Sequence, residues 1–383
     1  MPLNRREVLA GLLTSAAARA CFGGVDAVLV PGKRPLILHN DRPEDLETPV
    51  RYFDSWLTPA DTLFVRQHLP RPPAIEAGAY RLTVNGLVSK PLALTLAELE
   101  RLPQVTVPAV LECAGNGRGF FRPQVPGIQW GRGAIGNVEW SGPRVSDVLA
   151  LAGADRSAAF LEVDGADTGV GGTPDFIRSL PMKKALDSST LLAVRMNGNP
   201  IPEIHGYPAR LIAPGWCGSN FVKWVTRLSP AAESHAGFFM KTAYRFPKTP
   251  IPPGGTAPAS DLEPIAGMPV KSAITSPEDQ ASLTAGPQTV RGFAWAGEEM
   301  VERVEISVDG GSHWIEATLS PQKLRYAWRL FEYHFFAEPG YYTILSRAID
   351  SSGRVQPIVA TWNPSGYLWN AVDRVGVKVE KRA

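Results

Sequence analysis

Short runs of alternating apolar and polar residues, separated by turn signals, dominate the chain. Tyr80-Arg81-Leu82-Thr83-Val84-Asn85-Gly86 alternates and then turns, the pattern of a half-buried strand. Residues 105–110 are a short β-branched run that reads as a buried strand, 160–164 is another strand, and 191–200 reads as a strand ending in a tight turn. Phe64 and Val65 are expected in a short strand. On it Arg66 and His68, two apart, face the same side. Helical signals are few. Thr95-Leu96-Ala97-Glu98 is a capping box that opens a short helix through Leu102. A second helix is expected from Val145 to Leu151, stopped by Gly153. Residues 32–56, rich in proline and charge, read as an extended arm. Beyond a Pro/Gly-rich linker at 246–261, alternation becomes regular. Residues 304–308 and 314–317 flank Asp309-Gly310-Gly311 as a hairpin, and 327–331 and 341–345 continue the series. The pattern predicts a mixed domain over 32–245 and an immunoglobulin-like β-sandwich over 262–383, an α+β chain overall.

Composition narrows the function classes. The 383 residues suit two domains. Charged residues are 20% and the net charge is +2, so a nucleic-acid partner is not expected. The three cysteines, Cys21, Cys113 and Cys217, include no C-x-x-C pair, which excludes a c-type haem and a cysteine-rich zinc site in this chain. Cys113 and Cys217 could pair if Cys21 is removed. Arg5-Arg6 precedes a modest apolar run, and Ala18-Arg19-Ala20 offers a small-residue cleavage site. This resembles a twin-arginine export signal over residues 1–24 and implies a periplasmic protein. No segment is apolar enough to be a membrane span.

The chemistry centres on the strand that runs into Cys113-Ala114-Gly115-Asn116-Gly117-Arg118. A thiol at a strand end, above a glycine-rich loop, can be a nucleophile, a metal ligand or a small buried hydrophobe. Arg118 can lower its pKa or hold an anion. A second glycine loop, 127–134, carries Trp130, read as exposed or as lining a pocket. The loop 165–172 lacks a following Lys-Ser/Thr and is no P-loop. His205, Arg210 and Lys223 gather around glycine turns and suit an anionic group.

Phe64-Val65-Arg66-Gln67-His68, Cys113 to Arg118, His205-Gly206-Tyr207-Pro208-Ala209-Arg210, Phe221-Val222-Lys223-Trp224 and Tyr244 occur in an order and spacing that resemble the sulfite oxidase family of molybdenum–pterin enzymes. The resemblance covers nearly all of the chain after the export signal. It implies a molybdopterin-binding fold with Cys113 as the protein ligand to molybdenum. It implies pterin contacts from Phe64, Val65, Arg66, Gln67, His68, Asp167 (with Asp164 as the alternative), His205, Arg210, Phe221, Val222 and Lys223. Arg66, Arg118 and Tyr244 carry over to the substrate pocket, with His68 at its edge and Trp130 as a wall. Many members have a second arginine where this chain has Gly117. The implied reaction is oxidation of sulfite to sulfate, with electrons passing singly to a separate periplasmic c-type cytochrome, and the implied assembly is a homodimer. An exported molybdenum S- or N-oxide reductase, a non-catalytic anion-binding protein and a cysteine hydrolase using His68 or His205 are the alternatives. Whether a C-terminal cation such as Arg374 enters the site is an open question at this level.

Overall fold

The computed structural model describes residues 19–22, 25–28 and 30–381. The Arg5-Arg6 pair and most of the expected export signal lie outside them. Strands carry the fold, and the helices are few and short. In the first half, a five-stranded sheet runs in the order Arg178–Pro181, Phe160–Gly165, Val225–Ala231, Leu82–Val84, Leu92–Leu94. An antiparallel sheet joins Asn199–Pro200, Arg195–Met196, Ile135–Pro143 and Gln104–Glu112. Gln104–Glu112 pairs with Ile135–Pro143 along its whole length and stops one residue short of Cys113. The capping box is formed at Leu96–Arg101, and Gly153 closes Val145–Ala152 at φ 61°.

Two expectations are corrected. The segment at 32–56 is no extended arm: Leu36–Asp41 and Glu44–Glu47 form an antiparallel hairpin. Leu36 and Leu46 bury a small core with Val65 and Ile204, which holds the hairpin against the domain despite its many charges. Phe64 and Val65 form no strand. Val65 makes a single bridge to Leu46 and the chain then turns away.

The second half is a two-sheet sandwich. One sheet has the order Lys271–Ser276, Gly286–Trp295, Arg329–Ala337, Thr318–Leu319; the other has Ser282–Thr284, Asp373–Glu380, Gly340–Asp350, Val301–Ser307, Ile315–Glu316. The expected hairpin pairs Val301–Ser307 with Ile315–Glu316 around a longer loop than the Asp-Gly-Gly turn alone. Period-two alternation explains how the sandwich meets the first half. On Gly286–Trp295, Val290 and Ala294 enter the sandwich core, whereas Phe293 and Trp295 point the other way into the core of the first domain. That end of the strand is buried on both faces. No helix among the described residues is long and apolar enough to cross a membrane.

Candidate active site

Cys113 sits at the end of its strand, 8% exposed, and its backbone N–H donates to the Ala134 carbonyl at 2.9 Å. Burial pushes the thiol up, while Arg66 and Arg118 pull it down. A bound cation would favour the thiolate further. The residue before it, Glu112, is also buried and accepts three hydrogen bonds. These come from Lys271 Nζ at 2.6 Å, Trp295 Nε1 at 2.9 Å and Asn116 Nδ2 at 3.0 Å. Lys271 and Trp295 belong to the sandwich. The second domain therefore fixes the backbone that carries the thiol.

Behind Cys113 lies an enclosed pocket. Phe64, Val65, Arg66, Gln67, His68, Asp167, His205, Arg210, Phe221, Lys223 and Tyr244 line it together with Cys113. Residues far apart in sequence are thus brought to one place. Val222 is not among them: its side chain is in the core and its carbonyl accepts from Leu211 N–H at 2.8 Å. Alternation along 221–223 places Phe221 and Lys223 on the pocket side and Val222 away from it. Asp167 is on the pocket and Asp164 is not; Asp164 pairs with Arg227 at 3.0 Å. Burial moves both members of the Asp167–Lys223 pair toward neutrality, Asp167 upward and Lys223 downward. Arg210 is lowered to about 9 by burial.

The Gln67 Nε2 and Oε1, the Arg210 Nε and the Ser219 Oγ are buried without a partner. Buried polar atoms are nearly always paired. Four such atoms on residues lining one pocket, beside a soft thiol, fit a polar cofactor bearing a thiophilic metal.

In front of Cys113 is an open vestibule of about 460 Å³, lined by Arg66, Cys113, Arg118 and Tyr244 together with Pro126, Ile128, Pro364 and Tyr367. Arg118 donates through Nε to the Ser365 carbonyl and through Nη1 to the Ile128 carbonyl, each at 3.0 Å. Gly127, at φ +108°, allows this approach; a Cβ there would stand 2.9 Å from the guanidinium. Arg66 pairs with Asp45 at 3.1 Å. Burial disfavours its charge, and the Asp45 carboxylate beside it favours the charge, the net direction being upward. Tyr244 shares a hydrogen bond with His68 Nε2. Burial keeps the phenol protonated and the imidazole neutral. His68 is stacked on Phe176 at 4.0 Å between ring centroids.

Several expectations change here. Trp130 is 0% exposed and packs edge-on against His39 and Phe64, so it backs the pocket and lines neither cavity. Gly117 sits at φ +86°, and a Cβ there would meet the Trp369 ring at 2.7 Å. Trp369 occupies the space an arginine at 117 would need. Neither His68 nor His205 is paired with Cys113: His205 Nε2 lies 2.5 Å from Lys33 Nζ, and His68 serves Tyr244. The hydrolase alternative loses its base. Cys113 and Cys217 are both free thiols.

Arg374 does not reach the vestibule; its side chain lines a separate surface groove. The C-terminal segment that does is 364–367, with the Tyr367 ring stacked on Tyr244 at 5.3 Å and 5.1 Å from the Arg118 guanidinium. Sequence reading missed it, along with Lys33 and Asp45, and took the Gly218–Asn220 turn only for its backbone N–H groups, not for the Ser219 hydroxyl. The only signal for Tyr367 was an aromatic cluster just after the turn-forming Asn363-Pro364-Ser365-Gly366.

Residues 68–239 match the oxidoreductase molybdopterin binding domain, and residues 263–380 match the Mo-co oxidoreductase dimerisation domain. The chain is 35% identical over 376 residues to the mitochondrial sulfite oxidase of Rattus norvegicus, covering 91% of this chain and 67% of that one. The chain belongs to the sulfite oxidase family. The sulfite oxidase of Arabidopsis thaliana is 33% identical over 350 residues, covering 84% of this chain and 88% of that one. Among solved structures, the sulfane dehydrogenase SoxCD from Paracoccus pantotrophus superposes with a TM-score of 0.77 at 32% identity, covering 88% of this chain and 84% of that chain. The sulfite oxidase fold with its sandwich domain is therefore the fold of this chain.

Proposed function

We propose that this chain oxidises sulfite to sulfate at a molybdenum–pterin centre and passes the electrons singly to a c-type cytochrome. The observation that carries the reading is the convergence of Arg66, Arg118 and Tyr244 on one vestibule at Cys113, backed by a pocket with unpartnered polar atoms. Cys113 would hold the metal, and Gln67, His205, Arg210, Ser219 and Lys223 would hold the pterin. The cofactor would supply the two-electron redox chemistry and the oxygen to be transferred.

The protein's own part follows from its charges. Arg118 attracts a sulfur oxyanion and fixes it at the mouth, since its fork is already oriented by two carbonyls. Tyr244 keeps its proton at physiological pH and donates to an oxygen. Neutral His68 holds that phenol without adding a competing charge. The Phe176 and Tyr367 rings pack against the Tyr244 ring and fix its direction.

The twin-arginine pattern supports export to the periplasm, and the dimerisation-domain match supports a homodimer. The test is purification of exported protein from a host that makes the pterin. Stoichiometric molybdenum and sulfite-dependent reduction of cytochrome c are expected. Molybdenum-loaded protein that leaves sulfite untouched refutes the reading.

A further inference from the structure

Three observations on the vestibule point past free sulfite. The first is size. The vestibule, about 460 Å³ with Cys113 and the metal it would hold at one end, extends past the thiol as far as Pro126 and Tyr367. The second is charge. Two cations line it, Arg66 and Arg118. Arg66 is neutralised by Asp45, and Trp369 leaves no room for a cation from position 117. Arg118 alone carries an uncompensated charge, and its Nη2 finds no acceptor among the described residues. One free charge suits a monoanion. The third is the far wall. Pro126, Ile128, Pro364 and the Tyr367 ring present an apolar and aromatic surface within the same cavity as Cys113.

These features are built rather than incidental. The C-terminal segment that forms the wall is tied down at several points. Asn363 is buried, donates to the Tyr367 carbonyl at 2.8 Å and accepts from Tyr367 N–H at 3.0 Å. Leu368 N–H donates to the Ala114 carbonyl at 2.8 Å, one residue from Cys113.

We propose that the site also oxidises small organic sulfinates, R–SO₂⁻, to sulfonates, with the organic substituent seated between Ile128 and Tyr367. The inference rests on the sulfite reading and extends its substrate class. A sulfinate has what sulfite offers, a sulfur lone pair and two oxygens sharing one negative charge, but carries carbon where sulfite carries a third oxygen. The balance is R–SO₂⁻ + H₂O → R–SO₃⁻ + 2 H⁺ + 2 e⁻. One S–O bond forms and both O–H bonds of the water break. The electron pair leaves sulfur by the route sulfite's electrons take, to a one-electron acceptor such as a haem protein. Arg118 Nη2 and the Tyr244 phenol are the donors for the two sulfinate oxygens.

The experiment uses molybdenum-loaded protein with ferricyanide as acceptor and compares sulfite, methanesulfinate and benzenesulfinate, the sulfonates being identified by mass spectrometry. Benzenesulfonate is expected in stoichiometric amount, with benzenesulfinate favoured over methanesulfinate in kcat/KM because it fills the apolar wall. Ile128→Trp, or Pro126→Trp at the exposed lip, should lower kcat/KM for benzenesulfinate at least tenfold more than for sulfite. Calorimetric binding of benzenesulfonate to loaded and to cofactor-free protein gives a readout independent of turnover, and the same variants should weaken it about tenfold. Sulfite turnover with no sulfonate formed, or equal loss on both substrates in the filled variants, overturns the proposal and leaves the sulfite reading standing. Loaded protein that oxidises neither substrate overturns both.

Discussion

In the pocket behind Cys113 the polar groups are buried and supplied by the first domain, and Gln67, Ser219 and Arg210 each keep an unpartnered atom. In the vestibule before it they are oriented by backbone carbonyls, and part of the wall comes from the second domain. The pocket's orphaned atoms are costly unless something fills them; in the vestibule Arg118 is held in place by two carbonyls and keeps only its Nη2 edge open for a ligand. The first arrangement suits a resident group that never leaves. The second suits a ligand that must come and go many times, because nothing there collapses when it departs.

The contrast can be broken at its hinge. Cys113→Ser should abolish sulfite turnover while the chain stays folded, read by circular dichroism and steady-state assay; ordinary turnover would remove Cys113 from its ligand role. Next in size is the buried pair beneath the thiol. Lys271→Met leaves the Glu112 carboxylate uncompensated and should cost about 3–5 kcal/mol in urea unfolding. A change under 1 kcal/mol would mean that the domains are not coupled there. Arg118→Ala should raise the sulfite KM by roughly 10- to 100-fold, as expected for losing a charged hydrogen bond, with a smaller effect on kcat. An unaltered KM would show that Arg118 does not face substrate.

A different readout, pH, tests Lys33, whose Nζ lies against the pocket residue His205. Burial pulls the Lys33 ammonium from its ordinary 10.5 down to about 7. Between those values the unfolded chain holds a proton that the folded chain has released. Stability contributed by this group therefore rises with pH across that window and is lowest below pH 7. Lys33→Met should flatten the rise in melting temperature from pH 7 to 10; an identical slope in the variant would assign the dependence elsewhere.

The sequence made some of this legible and hid the rest for physical reasons. Strands with clean alternation, such as Leu82–Val84 and Phe160–Gly165, were visible because one face meets the core. The capping box was visible because it is local. The Leu36–Asp41 and Glu44–Glu47 hairpin was not, since its charges are buried by partners distant in sequence: Asp45 by Arg66, and Glu47 by the backbone N–H groups of Gly131 and Gly133. The pocket residues were found through the family resemblance more than through their spacing. Tyr367 and Lys33 stayed hidden because a lone ring or ammonium in a loop carries no periodicity. Trp130 was misread because a glycine-rich neighbourhood suggested exposure, whereas those glycines let other groups close over the ring.

The strand Gly286–Trp295 has a consequence for how the molecule comes apart. With Val290 and Ala294 committed to one interior and Phe293 and Trp295 to the other, neither half can loosen without stripping cover from its neighbour. Calorimetry should therefore record one heat-absorption peak where two lobes would suggest a pair. A side-chain truncation at Phe293 or Ala294, neither of which lines the vestibule, would therefore be felt in both halves at once.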